Sequence, residues 1–152
     1  MNNNDLLNKL LGIPKLQVVK TEFIGEAKLH VEVASTLTVA SCPDCGRLSS
    51  QIHDESEAQI IRDLPIAERQ GYLVYRARRF KCGHCPKTFV ERVEWKRPNV
   101  SYTERYERYV YQRVRRESVS QVAQDEGLSE EAVQAIFEYR AKKRRRHAGT
   151  RK

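Results

Sequence analysis

The sequence predicts an α+β protein in two parts, β-rich up to residue 95 and helical from residue 102. Three observations carry that prediction. Stretches rich in β-branched and alternating apolar residues occupy the first part. The last third shows apolar residues at three- and four-residue spacing, punctuated by serine and glycine. The four cysteines fall in the β-rich part as two C-x-x-C pairs. With 39% hydrophobic and 32% charged residues, 152 residues favour two small units over one large core, one of them held by something other than apolar burial.

Taken in order, Asp5 to Leu11 can form a short helix stopped by Gly12 and Pro14. LQVVKTEF (16–23) and KLHVEVAS (28–35) are separated by four residues and predict a β-hairpin. The first cysteine pair, in SCPDCG, follows. QIHDESEAQIIRDLPIAERQ between the pairs reads as a polar stretch in which Leu64-Pro65 breaks any helix. GYLVYRARRFKC then predicts one continuous strand. Tyr72, Val74, Arg76, Arg78 and Phe80 share one side of it, and Leu73, Tyr75, Ala77 and Arg79 the other. After the second pair, in KCGHCPKTF, residues 88–92 predict a further short strand. Pro98 and Asn99 mark a linker.

The cysteines point to a metal. Two pairs supply four thiolates, the set a tetrahedral zinc site needs, and a two-residue gap lets both sulfurs of a tight turn face one ion. Gly46 and Gly83 suit such turns. Cys42, Cys45, Cys82 and Cys85 are therefore the expected ligands of one structural Zn²⁺ in a zinc ribbon, with iron in a rubredoxin-like site as the chemical competitor. A closed four-thiolate site leaves no open position for catalysis. His53 and His84 are expected to be bystanders. No stretch of about 18 apolar residues and no basic-then-apolar leader is present, so a cytoplasmic, nucleoid-associated protein without membrane partners or structural disulfides is expected.

Charge separates the parts. Residues 1–95 carry 13 Lys/Arg against 12 Asp/Glu, residues 96–152 carry 15 against 8, and the chain nets +8. The excess predicts a polyanion-binding C-terminal region, or else a solubilising surface. Within it, Tyr102, Tyr106, Tyr109/Val110 and Val114 form an apolar stripe on a helix from about residue 103 to 116. SVSQVAQDEGLSEEAVQAIFEYR (118–140) then fits a helix-turn-helix. Val122 and Ala123 lie in its first helix, Gly127-Leu128-Ser129 at the corner, and Val133 and Ile136 in its second helix. A helical hairpin for dimerisation is the alternative. In the DNA-binding reading, Glu130, Glu131, Gln134 and Glu138 lie on the outward face of the second helix, which Ser129 caps, and Ser129, Glu131 and Gln134 are the candidate contacts there, although three acids suit phosphates poorly. Arg140, Lys142, Lys143, Arg144, Arg145 and Arg146 lie where phosphates or a minor groove would be met. Arg76, Arg78 and Arg79 form a further candidate phosphate patch, or alternatively a charge-protected strand edge. The expected division is 1–95 hairpin and zinc ribbon, 96–101 linker, 102–146 three-helix helix-turn-helix domain, and 147–152 basic flexible tail.

This layout resembles the N-terminal portion of bacterial insertion-sequence transposases: a zinc-ribbon head and a helix-turn-helix ahead of a DDE catalytic domain. The resemblance rests on LLNKLLGI, the hairpin, SCPDCG, HDESEAQIIRDLP, VYRARRFKCGHC with TFVER, and the GLS-centred helix-turn-helix. It implies recognition of the terminal inverted repeats of a mobile element in double-stranded DNA. It also implies that the catalytic carboxylates lie in a downstream domain. No acidic triad is assigned here, so the chain is expected not to be an enzyme and to have no small-molecule substrate. It would be either a truncated piece or a natural short product. The alternatives are a regulator or inhibitor derived from a transposase, acting as a homodimer or paired with a full-length transposase, and an RNA-binding ribbon in which strand arginines and tyrosines serve single strands.

Overall fold

The computed structural model describes residues 2–149. They form two compact units, one running to Ser101 and one beginning at Tyr102.

The first unit opens with α1 (Asn3–Leu11). Asn2 caps it in a capping box with Asp5, and Gly12 ends it in the left-handed conformation. β1 (Leu16–Ile24) and β2 (Lys28–Ser35) pair antiparallel, as the alternation predicts. The polar stretch between the cysteine pairs, for which no strand was expected, contains two, β5 (Ile52–Glu55) and β6 (Gln59–Ile66). Leu64-Pro65 lies within β6, which tolerates the proline because it is an edge strand with an irregularity between Asp63 and Ile66. Gly71 permits that irregularity: a Cβ there would lie 2.3 Å from the Leu64 carbonyl oxygen.

The continuous strand expected from GYLVYRARRFKC is divided. β7 (Arg69–Tyr75) and β8 (Arg78–Lys81) belong to different sheets. The break falls at Arg76-Ala77, where Ala77 and Ser56 bond to each other: Ala77 N–H donates to Ser56 Oγ at 2.9 Å, and Ser56 N–H to the Ala77 carbonyl at 2.7 Å. β7 pairs parallel to β2 and antiparallel to β6, giving a mixed four-stranded sheet in the order β1-β2-β7-β6. Its buried face is built from Leu16, Val18, Leu29, Val31, Val33, Ile61, Leu73 and Tyr75, together with Leu11 of α1. Helix α1 also covers the outer edge: Asn8 Oδ1 accepts the Val18 N–H at 2.6 Å, beside the bulge in β1.

The remaining strands form the metal-bearing part of this unit. β3 (Ala40–Ser41) and β4 (Leu48–Ser49) make one small hairpin. β8 pairs with β5 and with β9 (Thr88–Val90) to make the second sheet. Its apolar content is small: Phe80 stacks on Phe89 at 6.0 Å beside the buried Cys42 and Cys82. Two phenylalanines contribute about 1.5–3 kcal/mol each. Ordering a backbone costs about 1 kcal/mol or more per residue, so this part needs a further source of stability.

The second unit has three helices: α2 (Glu104–Val114), α3 (Val119–Glu126) and α4 (Glu130–Gly149). Tyr106, Val110, Val122, Ala123, Val133 and Ile136 form its core. The helix expected to dissolve after Arg146 continues to Gly149, so 147–149 belong to α4 and not to a flexible tail. Thr150, Arg151 and Lys152 lie outside the described residues.

Candidate metal centre and nucleic-acid interface

The β3–β4 hairpin presents Cys42 and Cys45, and the β8–β9 hairpin presents Cys82 and Cys85. The two turns share one backbone device. Cys42 N–H donates to the Arg47 carbonyl at 2.9 Å, and Cys82 N–H to the Lys87 carbonyl at 3.1 Å. Gly46 follows Cys45 with φ +73°, a conformation side chains rarely adopt, whereas Gly83 has no such φ and is not needed for it. The hairpins are tied together by Ser49 Oγ donating to the Lys81 carbonyl, and by an exposed Lys87–Asp44 ion pair at 3.0 Å.

One ligand atom from each cysteine falls within 4.8 Å of the other three, and the Cys45 and Cys82 sulfurs are 3.6 Å apart. All four thiols are free of disulfides. The backbone N–H groups of Cys85 (3.2 Å) and His84 (3.4 Å) point at Cys82 Sγ and draw its thiol down to about 7. The Cys45 thiol beside Cys85 pushes that group up to about 12. Like charges resist being gathered this closely, so four thiolates are stable together only around a cation. The donor set fits one tetrahedral Zn²⁺ with a closed shell: Cys42, Cys45, Cys82 and Cys85 would hold it, and its contribution is cross-linking. His53 and His84 are exposed and outside this cluster; His84 contributes through its amide, not its ring.

The three arginines ahead of the second pair have different surroundings. Arg78 is 12% exposed. It binds both Glu91 oxygens at 2.7 Å and the Leu37 carbonyl at 2.9 Å, and lies over the Phe80 ring. Tyr75 adds a hydroxyl bond to Glu91 at 2.8 Å, and burial raises its pKa. Arg78 is therefore an internal tie and leaves the candidate phosphate patch. Arg79 is exposed and paired in fork geometry with Asp54 across β8 and β5; β8 is the central strand of its sheet, so the pair ties two strands together and does not guard an edge. Arg76 is exposed, with one long bond to the Ser56 carbonyl at 3.4 Å.

In the second unit, Ser118 Oγ caps α3, and Gly127 ends it with φ +67°. Leu128 N–H returns to the Ala123 carbonyl at 3.0 Å. Ser129 Oγ then accepts the Ala132 N–H at 3.1 Å and starts α4. Glu130, Glu131, Gln134 and Glu138 occupy exposed positions of α4, and Gln134 donates to Glu138 at 3.0 Å. This first half of α4, residues 130–139, contains neither lysine nor arginine; Arg140, Lys142, Lys143, Arg144, Arg145 and Arg146 follow in the second.

An ion-pair cluster not anticipated from the sequence fixes α2 against α3. Arg113 bonds Glu117 twice at 2.8 Å, Asp125 at 2.6 Å and Glu126 at 3.2 Å. The buried Tyr106 hydroxyl donates to Glu126 at 2.7 Å. The Arg113 guanidinium holds the Glu117 and Asp125 carboxyls below the usual range. The only sequence signal was the i, i+4 spacing of Arg113 and Glu117.

A four-cysteine ribbon and a three-helix unit with a glycine corner define a zinc-carrying DNA-binding protein. Residues 38–85 match the zinc-finger of transposase IS204/IS1001/IS1096/IS1165, and residues 91–141 match the helix-turn-helix domain of transposase family ISL3. The chain thus carries, in that order, the zinc ribbon and the helix-turn-helix of the ISL3 transposase family. No curated protein and no solved structure matches it. No helix among the described residues is long and apolar enough to cross a membrane.

Proposed function

We propose that this chain recognises the terminal inverted repeats of a mobile element and positions transposition machinery there. The observation that carries the reading is the junction of α3 and α4. A buried Val122-Ala123 face, a left-handed Gly127 and the Ser129 cap set α4 as a helix whose first turns are exposed for a major groove. Glu131 and Gln134 are the proposed base readers, accepting from cytosine and pairing with adenine respectively. Ser129 is committed to its cap, which leaves it a positioning role. Arg140, Lys142, Lys143, Arg144, Arg145 and Arg146 supply phosphate contacts, and Arg76 is the one arginine of the β-rich unit retained as such a contact. The ribbon holds its part of the fold in register and does no chemistry on DNA. The place of action would be the nucleoid.

Gel-shift titration of the zinc-loaded chain against its element's inverted repeats and against random duplex, at about 0.15 M salt, tests the reading. A preference for the repeats of about a thousand-fold is expected of specific binding. Equal affinity for both duplexes would sink it. Gln134→Ala should lower the preference by roughly ten-fold while leaving random-duplex binding unchanged.

A further inference from the structure

In the second unit the C-terminal half of α4 lies beside α2. Lys143 reaches Glu104 at 3.4 Å, Arg144 reaches the Tyr111 hydroxyl at 3.4 Å, and Phe137 stacks on Tyr111 at 5.2 Å. The two helices enclose an open groove. Tyr111 lines it together with Arg108 and Arg115 from α2 and Arg140, Lys143 and Arg144 from α4. Among the described residues, Glu104 is the single acid lining it. Arg108 and Arg140 have no acidic partner among the described residues, and Arg115 lies over the Tyr111 ring at 5.9 Å. Five cations facing one carboxylate leave a strong uncompensated positive field in a concave site.

We propose that this groove is a second DNA contact surface that grips the phosphate backbone of the duplex beside the major groove entered by the start of α4, with Arg108 and Arg115 as phosphate-binding residues.

The inference rests on the DNA-binding reading and deepens it. Geometry favours duplex DNA as the occupant. Helix α4 has 20 residues and spans about 30 Å, whereas a major groove is about 12 Å wide. When its first turns lie among base edges, its far end must pass over the flanking phosphates. Charge along α4 changes at the same place. Its first half exposes Glu130, Glu131 and Glu138, unsuited to phosphate, and its second half exposes the basic run. Arg108 and Arg115 on α2 extend that basic surface sideways, widening the footprint without adding base contacts.

The test is fluorescence anisotropy with the full zinc-loaded chain over a salt series. Wild type, R108A/R115A, R108K/R115K and the control K9A/R47A are compared on the inverted-repeat duplex, a random duplex and a single-stranded RNA of equal length. K9A/R47A removes the same charge from exposed positions of the β-rich unit. R108A/R115A is expected to weaken both duplexes by the same factor, about ten-fold or more at 0.1 M salt. It should also lower the slope of log K against log [salt] by about two. The lysine pair should retain the slope. An unchanged slope in R108A/R115A, or a loss no larger than that of K9A/R47A, overturns the proposal. So does a tighter grip on the RNA than on either duplex. Equal wild-type affinity for repeat and random duplex would instead count against repeat recognition, while the slope still decides the groove. Thermal melting confirms that the variants are folded.

Discussion

Arg78 and Arg79 are adjacent in sequence and differ completely in surroundings. Strand periodicity puts them on opposite sides of β8, and that much was legible. Which side would be internal depended on Glu91, thirteen residues further on, and on the Leu37 carbonyl. Neither is visible to a local pattern. The same limit hid Arg113, whose partners Asp125 and Glu126 come from the crossing of α2 and α3. The four cysteines were legible for the opposite reason: their spacing is itself the chemistry of the site. Arg113→Met should destabilise the helical unit by about 1–3 kcal/mol, because the largely buried Glu126 loses a charged donor. The effect carries a pH signature. The Glu117 and Asp125 carboxyls are held below their ordinary values of 4.5 and 3.8, so their contribution is present above those values and is lost as pH falls beneath them. The difference between wild type and variant in thermal melts should be full at pH 6 and shrink toward pH 3. A constant difference would remove the ion-pair explanation.

Among elements, the β1–β2 hairpin and the three helices followed from periodicity and caps, while β5, β6 and the division of β7 from β8 did not. Edge strands such as β6 accept proline and polar residues, so their sequences resemble loops. A break between sheets leaves no mark when both flanking segments are strand-like. The β6–β7 connection is also unconventional. Ala67 (φ +47°) and Glu68 (φ +68°) form its two-residue turn, with Ile66 paired to Arg69. Two positive φ angles suit Asn-Gly, and a residue with a Cβ in that region costs about 1–2 kcal/mol. Ala67→Asn with Glu68→Gly should therefore raise stability by about 1 kcal/mol, seen as a higher denaturant midpoint for the first unit. A lower midpoint would show that the present residues are better suited to the turn.

At the scale of the molecule, the 36 residues between the cysteine pairs do not all belong to the metal-bearing part. Strands β6 and β7 lie in the four-stranded sheet, whose core includes Ile61, Leu73 and Tyr75. Chelation should thus release amides near 40–55 and 78–90 to rapid hydrogen exchange. It should leave β1, β2, β6, β7 and the helical unit protected. Uniform deprotection of the first unit would show that the sheet depends on the metal. Two parts with separate sources of stability account for the low apolar content without a single large core.

That interleaving also bears on how the chain folds in time. Strand β2 must wait for β7, about forty residues later, and the parallel pairing between them is a slow, long-range contact. The first cysteine pair follows β2 and the second follows β7, so one ion captured by both pairs closes nearly the same loop. Zinc would then act as a folding accelerator for a sheet it never touches, by shortening the search that brings β2 and β7 together.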